Sequence, residues 1–173
     1  MNEQRCPGCG GMAPGVPGPV HAYVPASPGC WRLFCSLTDW MQPLIGGDGS
    51  TVAQQVVDSY MVQHATNPDR RNRQSVAVHL MSLCASVDHR VPGNVLRNRL
   101  GGWTHRDYPE LLPRPVEFEI TVEHVASTPT PRRRVVVGAW ARSAWDAWVP
   151  HHEVIREWLA ESGDGWTRHP RPD

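Results

Sequence analysis

The chain contains no lysine, so all 17 of its Lys and Arg positions are arginine. That bias resembles the codon pattern of a high-GC bacterial genome, and no mechanism is read from it. It also has no charge excess: 17 acidic residues cancel the 17 basic ones, and no long basic stripe exists to neutralise a row of phosphates. Neither a nucleic acid nor an anionic membrane is therefore expected as a partner. The start lacks a charged stretch followed by an apolar run, and nowhere do about 20 apolar residues follow one another as a bilayer crossing requires. A cytoplasmic location is the expectation. Three catalytic signatures are missing as well: a glycine-rich phosphate loop after a strand, GxSxG and HExxH. Nucleotide hydrolysis, serine hydrolysis and zincin chemistry thus have no support. No internal repeat is visible.

A length of 173 residues suits one domain. A chain of that size buries roughly 70% of its unfolded surface, enough for an ordinary core. Five cysteines, Cys6, Cys9, Cys30, Cys35 and Cys84, form an odd set that cannot pair completely within one chain. In a reducing compartment the better readings are metal binding and buried free thiol. "CPGCG" at 6–10 argues for metal, and Cys84 in the apolar run "VAVHLMSLC" argues for plain burial.

Residues 1–29 are rich in glycine and proline and show no helical period, so this segment needs an external tie, which a metal would supply. Helical spacing then begins. Trp31, Phe34, Leu37 and Trp40 or Met41 predict a helix near 30–42, with Pro43 after its stop. Ser50 is a candidate N-cap for a helix of about 51–64, in which Val52, Val56, Tyr60 and His64 or Gln63 share a face. Val76, His79, Leu80, Leu83 and Val87 mark the most apolar segment, read as the central helix. Residues 88–115 read as irregular. "VEFEI" alternates like a half-exposed strand, but it has no evident partner and fits an extended linker equally well. Thr121 with "VEHVAS" predicts a short capped helix. Val137, Ala141, Trp145, Trp148, His152, Ile155 and Leu159 form a closing helical stripe, with Pro150 kinking one long helix or opening a second. The fold class is therefore mainly α. It is a single-domain helical bundle over 1–163 with a loop-rich Cys/His metal-binding segment at 1–29, at most one short strand, and a tail at 164–173.

Cys6, Cys9, His21 and Cys30 read as C-x2-C-x11-H-x8-C, four soft or borderline donors within 25 residues, and Cys3His is an accepted zinc set. Ligands can also come from distant helices, so His64 or His79 could complete the Cys6–Cys9 pair instead. A second constellation is histidine on helices. If His64, His79 and His152 or His151 converged, they would form a three-nitrogen site with an open position for activated water. Asp58 or Glu153 could then orient a ligand or act as base, and Asp58, His151 and Glu153 are the catalytic candidates. Any single histidine on an apolar face is more simply a hydrogen-bonded core residue. Trp140, Trp145, Trp148 and Trp158 read first as core, and second as a ring-lined pocket for an apolar or cationic ligand. The arginine runs at 70–73 and 131–134 read as solvated helix starts, with a bound anion or acidic partner as the alternative.

"CPGCG", "HAYVPASPGCW" (21–31), "VDSYMVQH" (57–64), "QSVAVHLMSLC" (74–84) and "WARSAWDAWVPHHEVIREW" (140–158) together resemble a mostly actinobacterial family filed as a domain of unknown function. The resemblance implies that Cys6, Cys9, His21, Cys30, Asp58, Tyr60, Gln63, His64, Gln74, His79, Trp145, Trp148, His151 and His152 occupy its motif positions. It transfers no activity. The chain departs from the family pattern after His64, where "ATNP" stands in place of proline and glycine, and Cys35 is peculiar to this chain. The expectation is a small cytosolic zinc-binding protein. A metal-dependent hydrolase or transferase with its histidine site in the bundle, and a protein-interaction or regulatory module, are the alternatives.

Overall fold

The computed structural model describes residues 2–163; the expected tail lies outside them. Two short antiparallel strands, β1 (Glu3–Arg5) and β2 (Met12–Pro14), open the chain, with Gln4 opposite Ala13. Seven helices follow: α1 (Pro28–Met41), α2 (Ser50–Val62), α3 (Arg70–Leu83), α4 (Gly93–Trp103), α5 (Val122–Ser127), α6 (Thr130–Asp146) and α7 (His152–Glu161). None of the described helices is long and apolar enough to cross a membrane.

Local chemistry sets the helix starts. Ser27 caps α1 by accepting from the Cys30 amide at 3.2 Å, with Pro28 in the first turn, where its missing N–H costs nothing. Asp69 caps α3 through the Arg71 amide at 2.7 Å. Thr121 starts α5 with a reciprocal capping box in which His124 returns a ring nitrogen to the Thr121 amide at 3.1 Å. Pro150 sits in a 3-10 turn, Val149–His151, that separates α6 from α7.

The core divides into two clusters that share α2 and α6. One joins Cys6, Cys9, Ala13, Cys30, Phe34, Val56, Tyr60, Val125, Val137 and Trp140. The other joins Val62, Leu80, Leu83, Leu96, Trp145, Trp148, Ile155 and Trp158. Trp140, Trp145, Trp148 and Trp158, the four expected in the core, are all buried there. The apolar α3 shares the central position with α2, which packs on α3, α4 and α6.

Two expectations change. Residues 88–115 hold α4, whose Leu96 and Trp103 are buried against the second cluster. "VEFEI" forms no strand and ends in a bend at 119–120; the strand pairing lies in the N-terminal segment, with two strands where one at most was expected. The arginine runs are largely tied down by neighbours: Arg70 reaches Asp107 at 3.4 Å, and Arg133 donates to the Thr128 carbonyl at 2.9 Å and lies 5.8 Å over the Trp40 ring.

Candidate metal centre

The N-terminal segment folds back on itself before it meets the helices. The Gly10 amide donates to the Cys6 carbonyl at 3.0 Å and the Cys6 amide to the Gly11 carbonyl at 2.9 Å, closing a tight turn around Cys9. Gly10 holds φ +71°, a conformation that disfavours any side chain. Gly8 is required for a different reason. A Cβ there would stand 2.3 Å from His64 Cδ2 and 2.4 Å from the Pro25 carbonyl oxygen, so only glycine lets the turn press against α2.

That contact brings four donors together. Cys6, Cys9, Cys30 and His64 are all buried, and their ligand atoms lie within 4.8 Å of one another. His64 Nε2 is 3.5 Å from Cys6 Sγ and 3.4 Å from Cys30 Sγ, and Cys9 Sγ is 3.9 Å from Cys30 Sγ. A tetrahedral zinc with its usual bond lengths has edges of about 3.6 Å between S and N and about 3.8 Å between two S. The spacing fits such an ion at the centre of the cluster.

The surroundings fix each donor. His64 donates Nδ1–H to the Tyr60 carbonyl, 2.7 Å away, which sets the tautomer and turns Nε2 toward the sulfurs. The Tyr60 hydroxyl lies 3.7 Å from Cys30 Sγ, and its ring packs 4.1 Å from the His64 ring and 4.2 Å from Phe34. Burial pushes the Tyr60 hydroxyl well above its usual range, aided by the nearby thiols, so it stays neutral and serves as a donor to sulfur. The Ser27 amide donates to Cys6 Sγ at 3.4 Å. From α3, Asn72 donates to the Tyr23 carbonyl at 3.1 Å and the His64 carbonyl at 2.9 Å, stapling the incoming loop to the end of α2.

The charges follow from this packing. Hydrogen bonds from Cys30 and Cys9 pull the Cys6 thiol far below its ordinary value, while the same bonds and burial drive Cys30 up. Burial alone would lower His64, but its bonds to Cys6 and Cys9 outweigh that and raise it to about 9. Shared hydrogen bonds thus favour a thiolate within the cluster beside the basic His64 ring, whose proton a bound ion would displace.

The remaining sequence candidates fall elsewhere. His21 is not in the cluster: its ring packs edge-on against Tyr23 at 4.4 Å and near Trp31 at 5.1 Å, so intervening aromatics separate it from the sulfurs. The three-histidine convergence is also absent among the described residues, since each ring has its own partner. His64 joins the cysteines, and His79 Nδ1 bonds Asp58 Oδ1 at 2.7 Å. His152 bonds the Trp145 carbonyl at 2.9 Å and stacks on that indole, and His151 bonds the Pro113 carbonyl at 2.9 Å. Glu153 is exposed in the first turn of α7. Cys84 is buried among aliphatics, which pushes its thiol up to about 12, and Cys35 is exposed.

The chain belongs to the family of unknown function DUF5946, which residues 4–149 match. All four clustered residues fall inside that span. No curated protein and no solved structure matches the chain.

The supporting groups leave little trace in the sequence. The helical period puts Tyr60 on the face it occupies, but no motif marks a hydroxyl aimed at sulfur. Tyr60 and His64 stand four apart where α2 ends, which sets the tyrosine ring 4.1 Å from the imidazole.

Proposed function

We propose that the protein is a zinc-binding helical protein in which Cys6, Cys9, Cys30 and His64 hold one ion and fasten the N-terminal segment to α1 and α2. The observation that carries this reading is the near-tetrahedral spacing of three sulfurs and one imidazole nitrogen in a fully buried site. Three sulfurs and a nitrogen select zinc over hard cations, which prefer oxygen. Four protein donors leave no open position, so the ion is structural: it polarises no substrate, and its binding energy goes into folding.

Elemental analysis of the purified protein tests the reading. About one zinc per chain is expected, retained through dialysis and lost in His64→Ala and Cys30→Ser. His21→Ala should keep it. Zinc retained in His64→Ala but lost in His21→Ala would reverse the assignment of the fourth donor.

A further inference from the structure

Away from the metal centre, a buried carboxylate holds a histidine at the edge of an open pocket. Asp58 on α2 is completely buried. Its Oδ1 accepts from Gln54 Nε2 at 2.7 Å and from His79 Nδ1 at 2.7 Å, and its Oδ2 accepts from the Ser82 hydroxyl at 2.6 Å. Three donors thus converge on one carboxylate. That arrangement places the imidazole proton on Nδ1 and leaves Nε2, across the ring, as the bare nitrogen.

The His79 side chain is 15% exposed, and the residue lines a surface pocket of about 380 Å³ between α3 and the end of α4. Tyr23, from the loop that Asn72 staples down, forms the facing wall, and Arg71, Gln74, Leu100 and Thr104 complete it. Gln74 donates to the Thr104 carbonyl and so holds the two helices together at the pocket floor. No lining residue is acidic. Arg71 is exposed and, unlike its neighbours Arg70 and Arg73, has no ion-pair partner among the described residues.

We infer that this pocket binds a small molecule bearing an anionic group and a hydroxyl, with Arg71 taking the anion and His79 Nε2 accepting a hydrogen bond from the hydroxyl. The Asp58 carboxylate behind the ring holds it in the tautomer that can accept. Asp58 is the positioning residue, because it acts through His79 and touches no ligand. The geometry is that of a hydrogen-bond acceptor held by a buried acid. It does not depend on the metal assignment, since none of the four metal donors lines the pocket.

The test uses the full-length, metal-loaded protein and nitrogen-15 NMR of its histidine side chains, with inorganic phosphate and glycolate as probes. His79 should be protonated on Nδ1 in the free protein, and either probe should shift its Nε2 signal saturably. Arg71→Ala should weaken that binding about tenfold, and His79→Gln, followed through the Tyr23 ring signals, should lose saturable binding of both probes while keeping the wild-type zinc content. Ser82→Ala, a milder change than any substitution of the fully buried Asp58, should raise the share of the Nε2–H tautomer. A purely structural Asp58–His79 pair would not produce a saturable shift. An Nε2–H tautomer in the free protein, no shift with either probe, or unchanged probe binding in Arg71→Ala would each overturn the inference.

Discussion

His64 and His21 separate what spacing can tell from what only packing decides. "CPGCG" and Cys30 were legible as three sulfur donors because their spacing sits within one short segment. The nearer histidine was the natural fourth member. The chain instead turns His21 into an aromatic cluster with Tyr23 and Trp31, and α2 delivers His64 from the far side. What decides this is a backbone approach at Gly8, which leaves no trace in a donor count. Gly8→Ala should accordingly weaken metal retention. Its Cβ would meet both the His64 ring and the Pro25 carbonyl, an overpacking worth about 1–3 kcal/mol, read as a lowered midpoint in a competition with a chelator. Tyr60→Phe removes the hydroxyl near Cys30 and keeps the ring stack on Phe34 and His64. A loss of about 10- to 100-fold in zinc affinity is expected, with little change in helix content by circular dichroism.

At the level of elements, four of the seven helices (α1, α2, α3 and α5) were readable because each carries an apolar stripe, a cap or a proline stop, and the closing stripe of α6 and α7 was readable up to the ambiguity at Pro150. α4 was not readable. Its sequence "GNVLRNRLGGW" has three glycines and four polar residues around Leu96, Leu100 and Trp103, and only packing against α2 and α3 makes it helical. "VEFEI" failed for the opposite reason: its period of two is clear, but no second strand lies beside it. The junction after α3 carries its own electrostatic tie. Asp88 lies in a π-helical turn, Cys84–Asp88, and bonds Arg156 of α7 at 2.9 Å and Arg142 of α6 at 3.4 Å. Burial alone would raise its carboxyl, but Arg156 and then Arg142 outweigh it and hold the group below its ordinary value of 3.8. A carboxyl lowered by folding stabilises fully above that ordinary value and loses its contribution as pH falls through the folded value. Asp88→Asn should therefore cost about 1 kcal/mol at neutral pH, since both arginines are about half exposed and screened by water. Urea denaturation should show that difference shrinking as the pH drops below about 4.

Over the whole molecule, the two core clusters differ in what holds them. The metal-side cluster contains the three clustered cysteines themselves, whereas the cluster around Leu80, Trp145 and Ile155 contains none of the four donors. Removal of metal should loosen the first before the second. Hydrogen exchange after chelation is expected to rise first in residues 2–27 and α1, while α3 and α7 keep their protection. Uniform loss of protection across all helices would show instead that the ion supports the entire fold. The mainly helical class was visible in the sequence because helical periods are local. The division of the core was not, because it depends on which helices α2 and α6 join.

Zinc-edge X-ray absorption of the purified protein tests the central claim most directly, since it counts the donors around the ion. Three sulfurs at about 2.3 Å and one nitrogen at about 2.0 Å, with no fifth scatterer, are expected. A shell dominated by nitrogen and oxygen, or one containing a bound water, would contradict a closed site built from Cys6, Cys9, Cys30 and His64.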